Sequence, residues 1–577
     1  MHTETLSQTL ARLLQGHGIT ELYTVPGDFV LPWLQVLELQ GASACSLRLI
    51  QLSHEPSAVF AADAAARWSN SPAAVMLTYG AGALNAVNAI AQAYMEFVPL
   101  FVFAGYPSQA EVDSGLLLHH QISDLDAQRR ILAEVTCAQC RLDNPATAAT
   151  ELAQIMALAK STSRPVLIEL PRDMAKAVIE HRTHSSEANT GGIGNNAVST
   201  TGDGQSSKSA EKHAAEQQFT SFCQTLSSQY KQPCLLVGVK AKRFGFDLAV
   251  TELAQHCGIP ALTTLLGRGV LDISAVWYKG VYSGGKEDAG LPWLLQADLL
   301  ICAGVIRSDS NFAAHPHLLA GRAVLWVNEQ QSILPDGSLV ELPACQVLML
   351  LQQAFGKASD AALPSVDARV LESATATVQS ERALKPQQSP CWRSDTLVRR
   401  LHHLLSQQSQ LYPFVVDIGD CLFAALSAEP SMLLAPAFYA SMGFAVPAAL
   451  GVQLSSGLRP IVLVGDGAFQ MTGLELGHCQ RYGLNPIVIV LNNQSWGMIK
   501  AFAPELNATA LGGWQYAALG RAMGCGASQI WNEEQFDGAL ADALADTRRP
   551  RLIEVMLPQH SYSDTLASFQ RGLCATT

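Results

Sequence analysis

Charge is scarce in this chain: Asp, Glu, Lys and Arg make up only 15 % of its 577 residues, against 49 % hydrophobic residues. A disordered chain needs the opposite balance, so the composition predicts large buried cores and broad subunit contacts. Positive charge is the scarcer sign. A net charge of −12 argues against nucleic acid or an anionic membrane as the principal partner. No apolar run reaches the roughly 20 residues a helix needs to cross a bilayer. The opening Met1-His2-Thr3-Glu4-Thr5 lacks a basic start ahead of an apolar core, so no secretory signal is read there. The 13 cysteines are odd in number and scattered among apolar neighbours, which fits reduced thiols in a cytoplasmic protein. Cys137-Ala-Gln-Cys140 has no second pair with which to build a zinc site. No G-x-G-x-x-G follows a predicted strand, which removes the nicotinamide reading.

Two polar stretches divide what is there. One lies around residues 183–209 and is rich in Gly, Ser, Thr and Asn; the other spans roughly 359–389 and ends at Lys385-Pro386. They predict domains at 1–182, 215–357 and 392–577, with linkers at 183–214 and 358–391. Each domain shows short apolar runs between helical patterns, the signature of open α/β domains with parallel sheets. Predicted strands lie at 74–78 and 100–104, at 233–238 and 299–304, and at 460–464 and 486–491.

The most specific motif is in the last domain. A strand ends in Gly465-Asp466-Gly467 and the next ends in Asn492-Asn493. In open α/β sheets ligands sit at the carboxyl ends of strands, and here an acid and an amide oxygen emerge at two such ends. The glycines admit a phosphate, and the helix predicted to start near Ala468 turns N–H groups toward it. Asp466, Asn493 and the carbonyl of Ser495 are the hard oxygen donors that magnesium takes beside a phosphate.

The string Gly465-Asp466-Gly467-Ala468-Phe469-Gln470-Met471-Thr472-Gly473 with Asn492-Asn493 resembles the thiamine diphosphate motif of the pyruvate decarboxylase-like superfamily. The resemblance implies a first domain that binds the pyrimidine end of the cofactor, a third that binds its diphosphate, and a site made between two subunits. It also implies a glutamate facing the pyrimidine ring, and Leu52-Ser53-His54-Glu55-Pro56 supplies Glu55. A carboxyl in an apolar cleft has the raised proton affinity that such a relay needs. By the same resemblance Met442, in Ser441-Met442-Gly443-Phe444, is the apolar wedge under the bent cofactor, and Asp420 lies in the turn at the diphosphate. Asp28 in Val25-Pro26-Gly27-Asp28, Thr78 in Thr78-Tyr79-Gly80, and the pair His119-His120 match catalytic positions of the decarboxylase branch. The expected reaction is loss of CO2 from a 2-keto acid, with Asp28, His119 or His120 returning a proton to release an aldehyde.

The resemblance covers nearly the whole chain outside the linkers and is strongest to bacterial phenylpyruvate and indolepyruvate decarboxylases. Pyruvate decarboxylases carry a glutamate several residues after the Asn-Asn pair; here Gln494-Ser495-Trp496-Gly497-Met498-Ile499-Lys500 has none. That absence points away from pyruvate, while the resemblance implies a larger, aromatic 2-keto acid. It also leaves a proton-transfer role unfilled, for which the candidate is Asp309, because Ser308-Asp309-Ser310-Asn311 resembles a middle-domain segment of the family close to the site. Lys500 and Arg307 add positive charge near the expected entrance, which would favour an anionic side chain instead. The rival readings are a carboligating synthase, a flavin-bearing oxidase and a non-catalytic cofactor-binding scaffold. The expected assembly is a homo-oligomer, with a dimer as the minimum active unit and a tetramer as the whole.

Overall fold

Strands buried on both faces need continuous apolar runs, and the runs read from the sequence become central strands of parallel sheets. The computed structural model describes residues 3–41, 47–180, 204–284, 288, 290–313, 315–357, 392–426, 428 and 433–574. In the first domain six strands form one parallel sheet. Its order is Arg48–Gln51, Glu21–Val25, Ala73–Leu77, Leu100–Tyr106, Val166–Pro171 and Gln139–Arg141. In the last domain the order is Leu433–Leu434, Phe414–Val416, Ile461–Gly465, Ile487–Asn492, Arg551–Met556 and Gly526–Ile530, again all parallel. Counted along the chain, both sheets read 2-1-3-4-6-5. The order reverses beside the first strand of each. Ligands of such sheets bind at the carboxyl ends of the strands flanking the reversal. Asp28 and Thr78 follow those strands in one domain, and Asp417 and Asp466 in the other.

The two matching domains do not stand apart. Thr3–Ile179 and Pro386–Ala575 form one compact unit, while Glu180–Lys385 form another. What joins the first unit is a seam of small residues. Helix Glu55–Ser69 turns Ala58, Ala61, Ala62 and Ala65 inward, and helix Ala445–Ser456 does so with Ala445, Ala448, Ala449 and Gly451. A Cβ on Gly451 would stand 2.0 Å from the carbonyl oxygen of Ala61, so the backbones approach as closely as they can. Phe60 and Phe444 close the seam edge-to-face, with ring centroids 5.6 Å apart.

In the second unit, strands Tyr278–Tyr282, Ala261–Thr264, Pro233–Val237, Leu299–Ala303 and Ala323–Val327 are parallel. Two short strands, Ser332–Ile333 and Leu339–Val340, continue the sheet antiparallel, an edge that the expectation of parallel sheets did not include. Helix Gly204–Gln229 takes up the end of the stretch expected to be a linker, 183–214; the rest of it up to residue 203 lies outside the described residues. So does the linker expected at 358–391. None of the described helices is long and apolar enough to cross a membrane. Cys137 and Cys140 are free, and burial pushes the Cys140 thiol up to about 12, which removes the reactive thiolate.

Candidate active site

At the carboxyl end of the last domain's sheet, strand Ile461–Gly465 delivers Asp466 directly into helix Asp466–Thr472. Its Oδ1 accepts from the Gly467 N–H at 2.9 Å, but Oδ2 is buried and accepts no hydrogen bond. Burial raises this carboxyl from 3.8 to about 6, and the backbone amides of Gly467, Gln494 and Ser495 only partly offset it. A buried carboxylate oxygen without a partner is a costly arrangement that a cation relieves.

The neighbouring strand places the matching donors. Asn493 Nδ2 donates to the Ser561 carbonyl at 2.7 Å, and its Oδ1 accepts from the Ser495 N–H at 3.1 Å, so the amide is held one way round. Gln494 takes φ +54 to make this tight turn, and Ser495 is buried just beyond it. Asp466, Asn493 and Ser495 line one cavity of about 260 Å³ together with Gly465, Gly467 and Ala468. The hard oxygen donors and the unpartnered Oδ2 fit a magnesium ion. Gly467 is required sterically, because a Cβ there would stand 2.3 Å from the Trp496 ring.

Met442 lines the same cavity, on a loop that the first domain of the same chain holds down. Glu96, wholly buried, accepts from the N–H groups of Phe438 and Tyr439, both at 2.8 Å, through Oε1. Its Oε2 accepts from Arg67 Nη1 at 2.5 Å, and Arg67 also pairs with buried Asp63. Gln92 Oε1 accepts from the Ser441 N–H at 3.2 Å. Between these anchors Ala440 sits at φ +64, a conformation an alanine adopts only when its surroundings impose it. Asp417 completes the loop, accepting from the Gly443 and Ala445 amides at 3.1 and 2.8 Å; burial raises its carboxyl to about 6.

Asp420 stands at the start of helix Asp420–Ala425 and lines the cavity, yet both its oxygens are taken. Oδ1 accepts from the N–H and hydroxyl of Ser563 at 2.8 and 2.6 Å, and Oδ2 from the Ser394 hydroxyl at 2.5 Å. The carboxylate therefore ties three segments together, and its backbone is what it can offer a ligand.

The first domain gathers a second group of residues. His119 Nε2 lies 2.6 Å from Asp28 Oδ2, and His120 Nε2 lies 3.9 Å from Asp28 Oδ1. Phe29 packs against the His119 ring at 4.9 Å, and Arg172 donates to the Asp28 carbonyl at 3.0 Å while also pairing with Glu111. His120 has φ +66, and its carbonyl oxygen would lie 2.0 Å from a Cβ on Gly80, itself at φ +58. Only glycine at 80 allows this closeness. Thr78 is buried, and its hydroxyl has no hydrogen-bond partner. Glu55 begins its helix and accepts from Asn85 Nδ2 at 2.7 Å. Gly82 marks how near these groups are: a Cβ there would be 2.8 Å from Thr78 Cγ2 and 3.4 Å from Glu55 Oε1.

None of Asp28, Glu55, Thr78, His119 and His120 lines the cavity around Asp466, whose lining is drawn wholly from the last domain. Asp309 belongs to the other compact unit, where it opens the short helix Asp309–Phe312 and accepts from the Ser310 N–H at 2.7 Å. Arg307 is in that unit too, its guanidinium 5.4 Å from the Trp326 ring centre, and Lys500 Nζ donates to the Leu506 carbonyl at 3.5 Å.

Sequence reasoning passed over Glu96, Gln92, Asn85 and Glu475. Buried Glu475 accepts from the Ser53 N–H at 3.1 Å, two residues before Glu55. A signal existed for some of them. Asp63 and Arg67 interrupt an alanine run at helical spacing, and Glu96 closes an otherwise apolar helix, which implies a buried ionic partner for each.

Comparison with known proteins agrees along the chain. Three family descriptions match in order: Thiamine pyrophosphate enzyme, N-terminal TPP binding domain, over residues 4–129; the central domain over 223–332; and the C-terminal TPP binding domain over 417–555. An indole-3-pyruvate decarboxylase of Azospirillum brasilense is 36 % identical over 98 % of this chain and 98 % of its own length. An alpha-keto-acid decarboxylase of Mycolicibacterium paratuberculosis is 26 % identical over 94 % of this chain and 92 % of its own. A probable pyruvate decarboxylase of Schizosaccharomyces pombe is 24 % identical over 99 % and 96 %. Fold, motif order and full-length similarity lead to one conclusion: the chain belongs to the thiamine pyrophosphate enzymes, in their 2-keto acid decarboxylase branch.

Proposed function

We propose that this enzyme decarboxylates an aromatic 2-keto acid of the indolepyruvate or phenylpyruvate type, without oxidation, to CO2 and the aldehyde one carbon shorter. The observation that carries the reading is the meeting of Asp28, His119 and His120 beside Thr78 and Glu55 at a single sheet end. The full-length similarity to an indole-3-pyruvate decarboxylase supports the substrate class. So does the apolar character of Met498 and Ile499 at the cavity, where an acid would suit pyruvate.

Magnesium is assigned to Asp466, Asn493 and the Ser495 carbonyl, with Gly465, Gly467, Ala468 and Asp420 around the diphosphate and Met442 under the bent cofactor. When bound, thiamine diphosphate supplies a nucleophilic carbon and an electron sink for the departing carboxylate. The protein's part is to orient groups and move protons. Glu55 holds the proton exchanged with the pyrimidine ring, and Asn85 orients its carboxyl. Asp28 Oδ2 and His119 Nε2 meet at 2.6 Å, placed to pass a proton to the carbon that loses CO2. His120 and Thr78 line that position, and Asp309 is assigned the role of the missing acid. That the cavity around Asp466 is lined by the last domain alone supports a dimer in which each copy completes the other's site, with a tetramer as the full assembly. On this reading residues 1–182 are the pyrimidine-binding domain, 215–357 the middle domain and 392–577 the diphosphate-binding domain.

The test is aldehyde formation from a panel of 2-keto acids, with and without thiamine diphosphate and Mg2+. Indolepyruvate and phenylpyruvate are expected to lead it, and Glu55→Gln to lower turnover by about 10²–10⁴. Acyloin as the sole product would favour the synthase, and a lead for dicarboxylic keto acids would bring Lys500 and Arg307 forward as the groups that select the substrate.

A further inference from the structure

The geometry points to a second metal site, distinct in chemistry from the magnesium site: Asp28, His119 and His120 form a three-ligand chelate for a divalent transition-metal ion of zinc's kind, which shuts the enzyme reversibly. One ligand atom from each residue lies within 4.8 Å of the other two. Two imidazole nitrogens and one carboxylate oxygen make a donor set suited to Zn2+, Cu2+ or Ni2+. Mg2+ takes hard oxygens in an octahedron and is a poor competitor for it. The same chain thus offers an all-oxygen site at Asp466 and a nitrogen-rich one here.

The side chains need to move little. Ligand bonds of about 2.0–2.2 Å in tetrahedral array set donor atoms about 3.3 Å apart. The present separations lie on either side of that value but fall on different carboxylate oxygens, 2.6 Å from His119 Nε2 to Asp28 Oδ2 and 3.9 Å from His120 Nε2 to Oδ1, so the carboxylate turns to share one oxygen or binds through both. Side-chain exposures of 60 % for His119 and 35 % each for Asp28 and His120 leave the tips free to turn and an ion free to enter.

The backbone beneath them is fixed by contacts independent of any metal. Gly80 packs on the His120 carbonyl, and its N–H donates to buried Gln128 Oε1 at 2.7 Å. Gln121 closes the turn by donating its N–H to the Leu118 carbonyl at 3.2 Å, while its Oε1 accepts from the Leu118 N–H at 3.1 Å. Phe29 buttresses His119, and Arg172 holds the Asp28 carbonyl. Three protein ligands leave further coordination positions for water or a keto acid carboxylate. An ion held there occupies the nitrogen and oxygen atoms that otherwise carry the proton. Metal binding does not depend on the decarboxylase reading; the inhibition does.

The experiment titrates Zn2+ into the full-length holoenzyme in excess Mg2+ and thiamine diphosphate, with a chromogenic chelator reporting free ion. The expected result is one tightly held Zn2+ per chain. His119→Ala and His120→Ala each weaken it by about 100-fold or more, since losing a ligand costs at least what losing a supporting partner costs. Asp466→Asn, and Cys345→Ser at a free and exposed cysteine, retain the ion. Co2+ gives the visible spectrum of a four- or five-coordinate ion in the wild type and not in the histidine variants, whose folding is checked by circular dichroism. Unchanged Zn2+ affinity in both histidine variants, or a Co2+ spectrum of the hexa-aqua type, overturns the site. In parallel, 2-keto acid turnover stops as the site fills and returns on chelation. Turnover that continues with the site filled overturns the inhibition. Zinc-free protein that turns over no 2-keto acid, yet binds Zn2+ as described, upholds the site and sinks the decarboxylase reading.

Discussion

Replacing Asp466 by Asn should make the metal-free, cofactor-free protein more stable while abolishing its ability to hold magnesium. Oδ2 of Asp466 is buried without a hydrogen bond, and burial moves the carboxyl from its ordinary 3.8 to about 6. A carboxyl raised in the folded state contributes its stability below 3.8 and loses it as pH rises through about 6. At about 1.36 kcal/mol per pH unit, the only partly compensated charge costs roughly 3 kcal/mol at pH 8 and about half of that at pH 5. Asn keeps the shape and the acceptor for the Gly467 N–H but carries no charge. Urea unfolding of stripped protein at both pH values measures the difference. The variant should gain most at pH 8 and less at pH 5. Adding Mg2+ and thiamine diphosphate should reverse the order, because only the wild type gains from binding. A variant that is weaker than wild type at pH 8 without ligands, or that gains equally at both pH values, would refute the reasoning.

Three further outcomes follow from particular contacts. Glu96→Ala leaves the Phe438 and Tyr439 amides unpartnered and Arg67 with one acid fewer, so a loss of about 3–5 kcal/mol and weaker cofactor retention are expected. Glu96→Gln keeps an acceptor for both amides and should recover much of the cofactor retention, measured by dialysis. In Gly80→Ala the new Cβ meets the His120 carbonyl at 2.0 Å, so turnover should fall at least tenfold while Mg2+ still binds at Asp466; turnover unchanged would contradict the packing. Iodoacetamide at pH 8 should leave Cys140 unmodified in the native protein by mass spectrometry, because its thiol is pushed up to about 12.

Much of the fold was legible because its signals are local. Runs at 74–78, 100–104, 460–464 and 486–491 became central strands, displaced by a residue or two, since a strand buried on both faces must be apolar along its whole length. The Gly465-Asp466-Gly467 and Asn492-Asn493 strings announced a pair of strand ends for the same reason: glycine and polar residues stand where an apolar strand must stop. His119 and His120 could be singled out only through resemblance, because adjacent histidines have no local signature of a site.

Long-range geometry decided the rest. The linear order of three domains gave no sign that the first and last share one compact unit and one strand order, a relation set by the small-residue seam between helices Glu55–Ser69 and Ala445–Ser456. Asp420 looked like a ligand residue in its motif, but its oxygens are spoken for by Ser394 and Ser563, which lie far away in sequence. Glu96, closing an apolar run, implied a buried partner, but only the fold shows that the amides of residues 438 and 439 share it with Arg67. By itself the sequence determined the central strands, the cofactor motif and the family, all carried by short-range pattern. Tertiary structure alone decided which polar groups are partnered and which are left to bind, because burial and hydrogen bonding between distant segments exist only once the chain has folded.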